Sequence, residues 1–281
     1  MRFGVHVSIG DGFLKAVQKA EHLGCETFQI FAGNPRGWAR KPLDAAEAER
    51  FKAARLASGL GPVVVHLSYL PNLANLDDQL FERSVLAMGE DFARANLLGA
   101  DYFVVHPGSC APEAKAEGMR RVMRGVEAVL AQVAGPTRLL LENQGSRKRD
   151  LGADLSELAS MAAGLDRDRV GICLDTCHAF VAGYDLRTEA GWREALAMIA
   201  GGAGLDRLGL IHGNDSRGDL GSGLDRHEHI GAGYLGAPAF AAMGGIDDLA
   251  DRAVILETPQ ESPADDLRNL AAIRALAGGK A

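Results

Sequence analysis

Val170-Gly171-Ile172-Cys173-Leu174-Asp175 is an apolar run that stops at an ionisable side chain, and His178 follows three residues later. A run without polar alternation suits a strand buried on both faces, as in a parallel sheet covered by crossover helices. Seven more short β-branched or aromatic runs flank it: Phe3–Val7, Thr27–Phe31, Val63–His66, Tyr102–His106, Arg138–Glu142, Leu208–His212 and Ala253–Glu257. Segments rich in Ala, Leu, Glu and Arg, with helical spacing, separate them: Phe13–Leu23, Ala45–Ala57, Asp77–Leu98, Glu113–Ala134, Leu155–Ala163, Glu189–Ala200, Pro238–Met243 and Pro263–Leu276. Eight strand–helix units in about 250 residues predict an α/β protein, a single (β/α)8 TIM barrel over 1–281 with its active site at the C-terminal ends of the strands. An open doubly wound sheet would want a glycine fingerprint after the first strand. Ser8-Ile9-Gly10-Asp11-Gly12 lacks the third glycine.

Composition agrees. With 281 residues, 47% hydrophobic and 24% charged, the chain can bury a large core, which excludes disorder and a coiled coil. No apolar stretch approaches the ~20 residues of a membrane span. The start, Met1-Arg2-Phe3-Gly4-Val5-His6, lacks the apolar core of a signal peptide, so a cytosolic location is expected. The four cysteines fit no paired metal spacing and are expected to be reduced, with Cys173 buried in its strand. A net charge of −7 taken alone argues weakly against a nucleic-acid partner.

The last residues of the strand-like runs carry the chemistry. From the third run to the eighth they are His66, His106, Glu142, Asp175, His212 and Glu257. His178 follows closely, and Asp225 and His227 lie in the long loop after the seventh run. Any one of these is more often a turn or capping group. Six consecutive strand ends converging on one barrel face are different, because so many buried ionisable groups need compensating cations. Imidazole and carboxylate ligands without cysteine suit catalytic Zn²⁺, with Mn²⁺ as a substitute. At three protein ligands per ion, nine donors suit three ions if one carboxylate bridges. Such a cluster fits in-line phosphoryl chemistry.

These residues resemble a known family. Leu174-Asp175-Thr176-Cys177-His178-Ala179-Phe180 with Ala182-Gly183-Tyr184-Asp185 looks like a signature of endonuclease IV, the metal-dependent apurinic/apyrimidinic endonucleases (AP endonuclease family 2). So do His106-Pro107-Gly108-Ser109, His212-Gly213-Asn214-Asp215, Asp225-Arg226-His227 with Ile230-Gly231, and Leu256-Glu257-Thr258. The resemblance implies a three-zinc base-excision repair enzyme. His66, His106 and Glu142 would hold one ion; Glu142, Asp175, His212 and Glu257 a second; His178, Asp225 and His227 a third. It implies that a metal-activated hydroxide, served by Glu142 and Glu257, attacks the phosphate 5′ to an abasic site in duplex DNA. That leaves a 3′-hydroxyl and a 5′-deoxyribose phosphate, and the same site would remove 3′ blocking groups. The sequence departs from the family's pattern at Gln144-Gly145-Ser146-Arg147-Lys148-Arg149 and at Ala232.

By the same resemblance Arg36, Tyr69 and Leu70 sit where the family places DNA-contacting wedges. Turning an abasic nucleotide out of the stack leaves a gap that inserted side chains fill. The bland alternatives are a solvated turn and a loop anchor. Arg36, Arg40, Lys41, Arg147, Lys148, Arg149, Arg217 and Arg226 place basic charge on the catalytic loops. Three divalent cations would bring the net charge to about −1, so the acidic sum is no objection to DNA phosphates. His6 is read as support beneath the site, His22 and His229 as solvated, and Trp192 as helix packing. The rival reading is a divalent-metal sugar isomerase on the same barrel, which would more typically use a lysine near the site; no strand end supplies one. A metal-storage protein leaves the convergence of donors unexplained.

Overall fold

A computed structural model describes residues 1–39 and 42–278. Eight parallel strands form a closed barrel: β1 Arg2–His6, β2 Thr27–Phe31, β3 Val63–His66, β4 Tyr102–Val105, β5 Arg138–Glu142, β6 Val170–Asp175, β7 Leu208–His212 and β10 Ala253–Leu256. Their order is β1-β10-β7-β6-β5-β4-β3-β2, closed by pairing of β1 with β2. The (β/α)8 barrel expected from the alternating runs is the fold. Three strands end one residue short of expectation, at His6, Val105 and Leu256, so Val7, His106 and Glu257 are the first residues beyond β1, β4 and β10.

Alternation along the strands explains where the ionisable groups sit. Val64, Val104, Leu140, Cys173, Leu210 and Ile255 pack together as the plug inside the barrel. Their neighbours, such as Val65, Val105, Leu141 and Leu174, pack outward under the helices. Side chains repeat every two residues on a strand face. His66, His106, Glu142, Asp175, His212 and Glu257 each follow a plug residue by two, so each strand sets one ionisable group directly above the plug.

The covering helices are α1 Phe13–His22, α2 Ala45–Ser58, α3 Asp78–Leu97, α4 Lys115–Gln132, α5 Leu155–Ala163, α7 Glu189–Gly202, α8 Gly236–Gly244 and α9 Asp265–Ala277. Asp44, Asp77, Asp154 and Thr188 cap four of them by accepting from backbone N–H groups of the first turn. Trp192 is fully buried and donates from Nε1 to Ala239 O at 3.0 Å, tying α7 to α8. The segment expected as one helix from Glu113 begins as a short 3₁₀ turn, Pro112–Ala114, before α4.

Two elements near the mouth were not expected. A six-residue helix, α6 Thr176–Val181, follows β6 without a loop. The long loop after β7 contains a small antiparallel ribbon, β8 Asp215–Ser216 with β9 His227–Glu228. The fully buried Asp215 carboxylate organises this loop. Its Oδ2 accepts from Gly231 N and Gly233 N at 2.8 and 3.1 Å, and its Oδ1 from Leu235 N and Gly236 N at 3.1 and 3.2 Å. A Cβ on Gly233 would lie 2.5 Å from Asp215 Oδ1, so a side chain there would break the arrangement.

Candidate metal centre

The nine ionisable groups converge at the barrel mouth. Glu142, fully buried, is the hub, and its two oxygens face different partners. Oε2 lies 3.1 Å from both His66 Nε2 and His106 Nε2. Oε1 lies 2.8 Å from His212 Nδ1 and 3.5 Å from His178 Nδ1. His212 Nδ1 also faces Glu257 Oε2 at 3.3 Å and Asp175 Oδ2 at 3.9 Å. On the far side His178 Nε2 meets Asp225 Oδ1 at 3.2 Å, and His227 Nε2 stands 3.7 Å from the same oxygen. The sets His66–His106–Glu142 and His178–Asp225–His227 each have three donor atoms mutually within 4.8 Å.

Asp175 explains α6. It ends β6 and caps the short helix, accepting from His178 N through Oδ1 at 2.8 Å. Its other oxygen accepts from Asn214 Nδ2 at 2.6 Å and stays on the mouth side. The cap turns His178 back over Glu142. Glycine is required in the neighbouring His106-Pro107-Gly108 turn: Gly108 has φ +101°, and a Cβ there would lie 2.1 Å from Asn72 Oδ1.

Three imidazoles are oriented by carbonyl acceptors on their outer nitrogen. His66 Nδ1 donates to Leu67 O at 2.7 Å, His178 Nδ1 to Asn143 O at 2.9 Å and His227 Nδ1 to Glu257 O at 3.0 Å. A carbonyl only accepts, so each ring keeps its proton there and presents Nε2 to the mouth.

Electrostatics at the mouth are strongly coupled. Burial alone would raise the Glu142 carboxyl, but His212 and His106 outweigh it and hold it well below the usual range. Burial likewise opposes Glu257 ionisation, and His212 and His6 reverse that. Against burial, His178 and Asp225 favour each other's charged forms. Asp175 and Asp225 hold His178 well above its ordinary value, and His178 brings Asp225 down to about 2. Burial lowers the pKa of His6.

The donor set fits metal ions. Among the described residues the ion-pair partners of Glu142, Asp175, Asp225 and Glu257 are histidines. His227 Nε2 is buried with no hydrogen-bond partner, 3.8 Å from Asp175 and 3.7 Å from Asp225. An imidazole nitrogen between two carboxylates, beyond hydrogen-bond reach of both, suits a shared cation.

The mouth opens into a cleft of about 1130 Å³ lined by His66, His106, His178, Asp225, His227 and Glu257, with Tyr69, Asn34 and Pro35 on one wall. Tyr69 is 68% exposed, and its ring rests edge-on against Phe31 at 5.3 Å. Arg36 is exposed on a turn in which its N–H donates to Asn34 Oδ1. Leu70 is 37% exposed but is not part of the lining. Arg40 and Lys41 lie outside the described residues. Arg217 is committed to Glu228, Nε to Oε2 at 3.0 Å, so it adds little free positive charge. The Gln144–Arg149 run is held to the loop after β4: Gly108 N donates to Gln144 Oε1 at 2.8 Å and Cys110 N to Arg149 O at 3.0 Å. His229, expected to be solvated, is half-buried with Nδ1 3.1 Å from Asn269 Nδ2. His22 is exposed, and all four cysteines are free and buried. Sequence reasoning missed Gln29, whose one signal is a polar residue in the middle of an apolar strand.

Residues 17–276 match the xylose isomerase-like TIM barrel family, the class to which this closed barrel belongs. Within that class the relatives are specific. The chain is 44% identical over 277 residues to a probable endonuclease 4 of Methanoculleus marisnigri, covering 98% of each. It superposes on the crystal structure of endonuclease IV from Thermus thermophilus with a TM-score of 0.86 at 40% identity, covering 99% of each chain. The protein belongs to the endonuclease IV family. A D-tagatose 3-epimerase-like protein also superposes, with a TM-score of 0.71 at 17% identity over 99% of this chain and 98% of that one, a likeness of fold alone.

Proposed function

We propose that this protein is a single-domain DNA repair hydrolase. It cuts the phosphodiester 5′ to an abasic site in duplex DNA, leaving a 3′-hydroxyl and a 5′-deoxyribose phosphate, and removes 3′ blocking groups. The observation that carries the reading is the split role of Glu142, whose two oxygens serve two donor groups as a bridging carboxylate would. The relatives named as endonucleases supply the substrate class.

In this reading His66, His106 and Glu142 hold one ion, Glu142, Asp175, His212 and Glu257 a second, and His178, Asp225 and His227 a third. The ions are zinc, with manganese as a substitute. Bound there, they lower the pKa of water and neutralise charge on the phosphate and the leaving oxygen. Glu142, fully buried, and Glu257, which lines the cleft, are both ionised and orient the attacking water. Arg36, Tyr69 and Leu70 enter the gap left by the flipped nucleotide. No described helix is long and apolar enough to cross a membrane, and we assign the protein to the cytoplasm, on the nucleoid in a prokaryotic cell.

Mapping the bond cut in a duplex with one abasic analogue tests the activity; cleavage elsewhere or none rejects it. Elemental analysis of protein purified without chelator should find close to three transition-metal ions per chain. One ion or fewer in an active preparation rejects the ligand assignment. Tyr69→Ala and Arg36→Ala should each weaken abasic-duplex binding by roughly 1–3 kcal/mol with metal content unchanged. Binding should also fall steeply with salt. Unchanged affinity in both variants would return these loops to a packing role.

A further inference from the structure

Gln29 lies in the middle of β2 between Phe28 and Ile30 and is fully buried. Phe28 and Ile30 pack in the outer core, so Gln29, of opposite parity, faces the barrel interior. Its amide spans three groups. Nε2 lies 2.6 Å from Glu257 Oε1 and 3.0 Å from His6 Nδ1, and Oε1 lies 2.9 Å from His212 Nε2.

Chemistry fixes which end of the amide is which. An ionised carboxylate only accepts hydrogen bonds, so the atom facing Glu257 is the NH₂ group. The amide oxygen then faces His212 and requires a proton on His212 Nε2. That leaves His212 Nδ1 turned toward Glu142, Glu257 and Asp175. The same amide holds Glu257 by Oε1, so Oε2 faces His212. His66, His178 and His227 have backbone carbonyls for this purpose; His212 has Gln29.

We infer that Gln29 is a positioning residue for the middle cation position, setting the ring of His212 and the carboxylate of Glu257 with one side chain. The inference rests on the three-ion reading above. It is selective, because Gln29 bonds to ligands of that one position. Changes to groups that orient metal ligands typically cost 10–100-fold in metal affinity. A residue that only filled the barrel would affect all three positions alike.

The test is a zinc titration of chelator-stripped protein against a chromophoric competing chelator, repeated with Co²⁺ to read ligand geometry from its visible absorption. Wild type should take up three ions. Gln29→Met, similar in length but without hydrogen bonds, should keep two at wild-type affinity and bind one 10–100-fold more weakly, with a changed Co²⁺ band. Gln29→Glu keeps an acceptor for His212, loses the donor to Glu257, and should loosen the same single ion; it carries the test if the Met variant fails to fold. Three ions at wild-type affinity in the variants, or all three weakened together, overturn the inference. Uptake of one ion or fewer by wild type overturns the three-ion reading itself, and the inference with it.

Discussion

Glu142→Gln should reduce single-turnover cleavage of an abasic duplex by at least ~10³-fold, the upper end of the range for losing one preorganised electrostatic group. The expectation is this large because one side chain serves two positions. Its oxygens contact His66, His106, His178 and His212, all within 3.5 Å. Glutamine keeps the volume but loses the charge and one acceptor, so the first and second ion positions lose a ligand together. Elemental analysis should show both depleted while the ion between His178, Asp225 and His227 stays. A variant with full metal content and near wild-type rate would remove Glu142 from the bridging role.

Glu257→Gln should cost less in metal and nearly as much in rate, about 10²–10³-fold. Glu257 is first beyond β10 and carries little core packing, so the fold should survive. It belongs to one position only, facing His212 at 3.3 Å, so only the second ion should loosen. DNA binding should stay within a few-fold of wild type, since Arg36 and Tyr69 are untouched. Excess zinc should restore occupancy without restoring rate, because the charge that orients the water is gone. Cleavage near the wild-type rate would take Glu257 out of the reacting shell.

Much of this site was legible in the sequence. Six of its groups, from His66 to Glu257, end apolar runs, and strand alternation fixes which face they take. The structure adds the reason they align: each follows a residue of the interior plug by two. The parts that were not legible lack periodicity or lie far apart in the chain. The six residues of α6 are too few for a 3.6-residue pattern, and Asp175 caps the helix while also ending a strand. The ribbon of β8 and β9 has two residues in each strand, and the buried Asp215 shapes the loop around it. Gln29 acts on His212 and Glu257 from 183 and 228 positions away, a relation that local pattern cannot reveal.

The loop that Asp215 shapes divides the mouth into parts with different supports. Seven of the nine donors leave the strand ends or the helix fused to β6, and displacing them means breaking the barrel. Asp225 and His227 ride on the excursion after β7, which is held by the two-residue ribbon, the Asp215 contacts, bonds from Gly221 N to Phe180 O and Gly223 N to Val181 O, and the His227 Nδ1 bond to Glu257 O; the Asp225 side chain is 53% exposed. Two of the nine groups thus depend on the loop's own bonds rather than on the barrel's, so a side chain at Gly233 or the loss of the Asp215 carboxylate would misplace them and leave the other seven where they are.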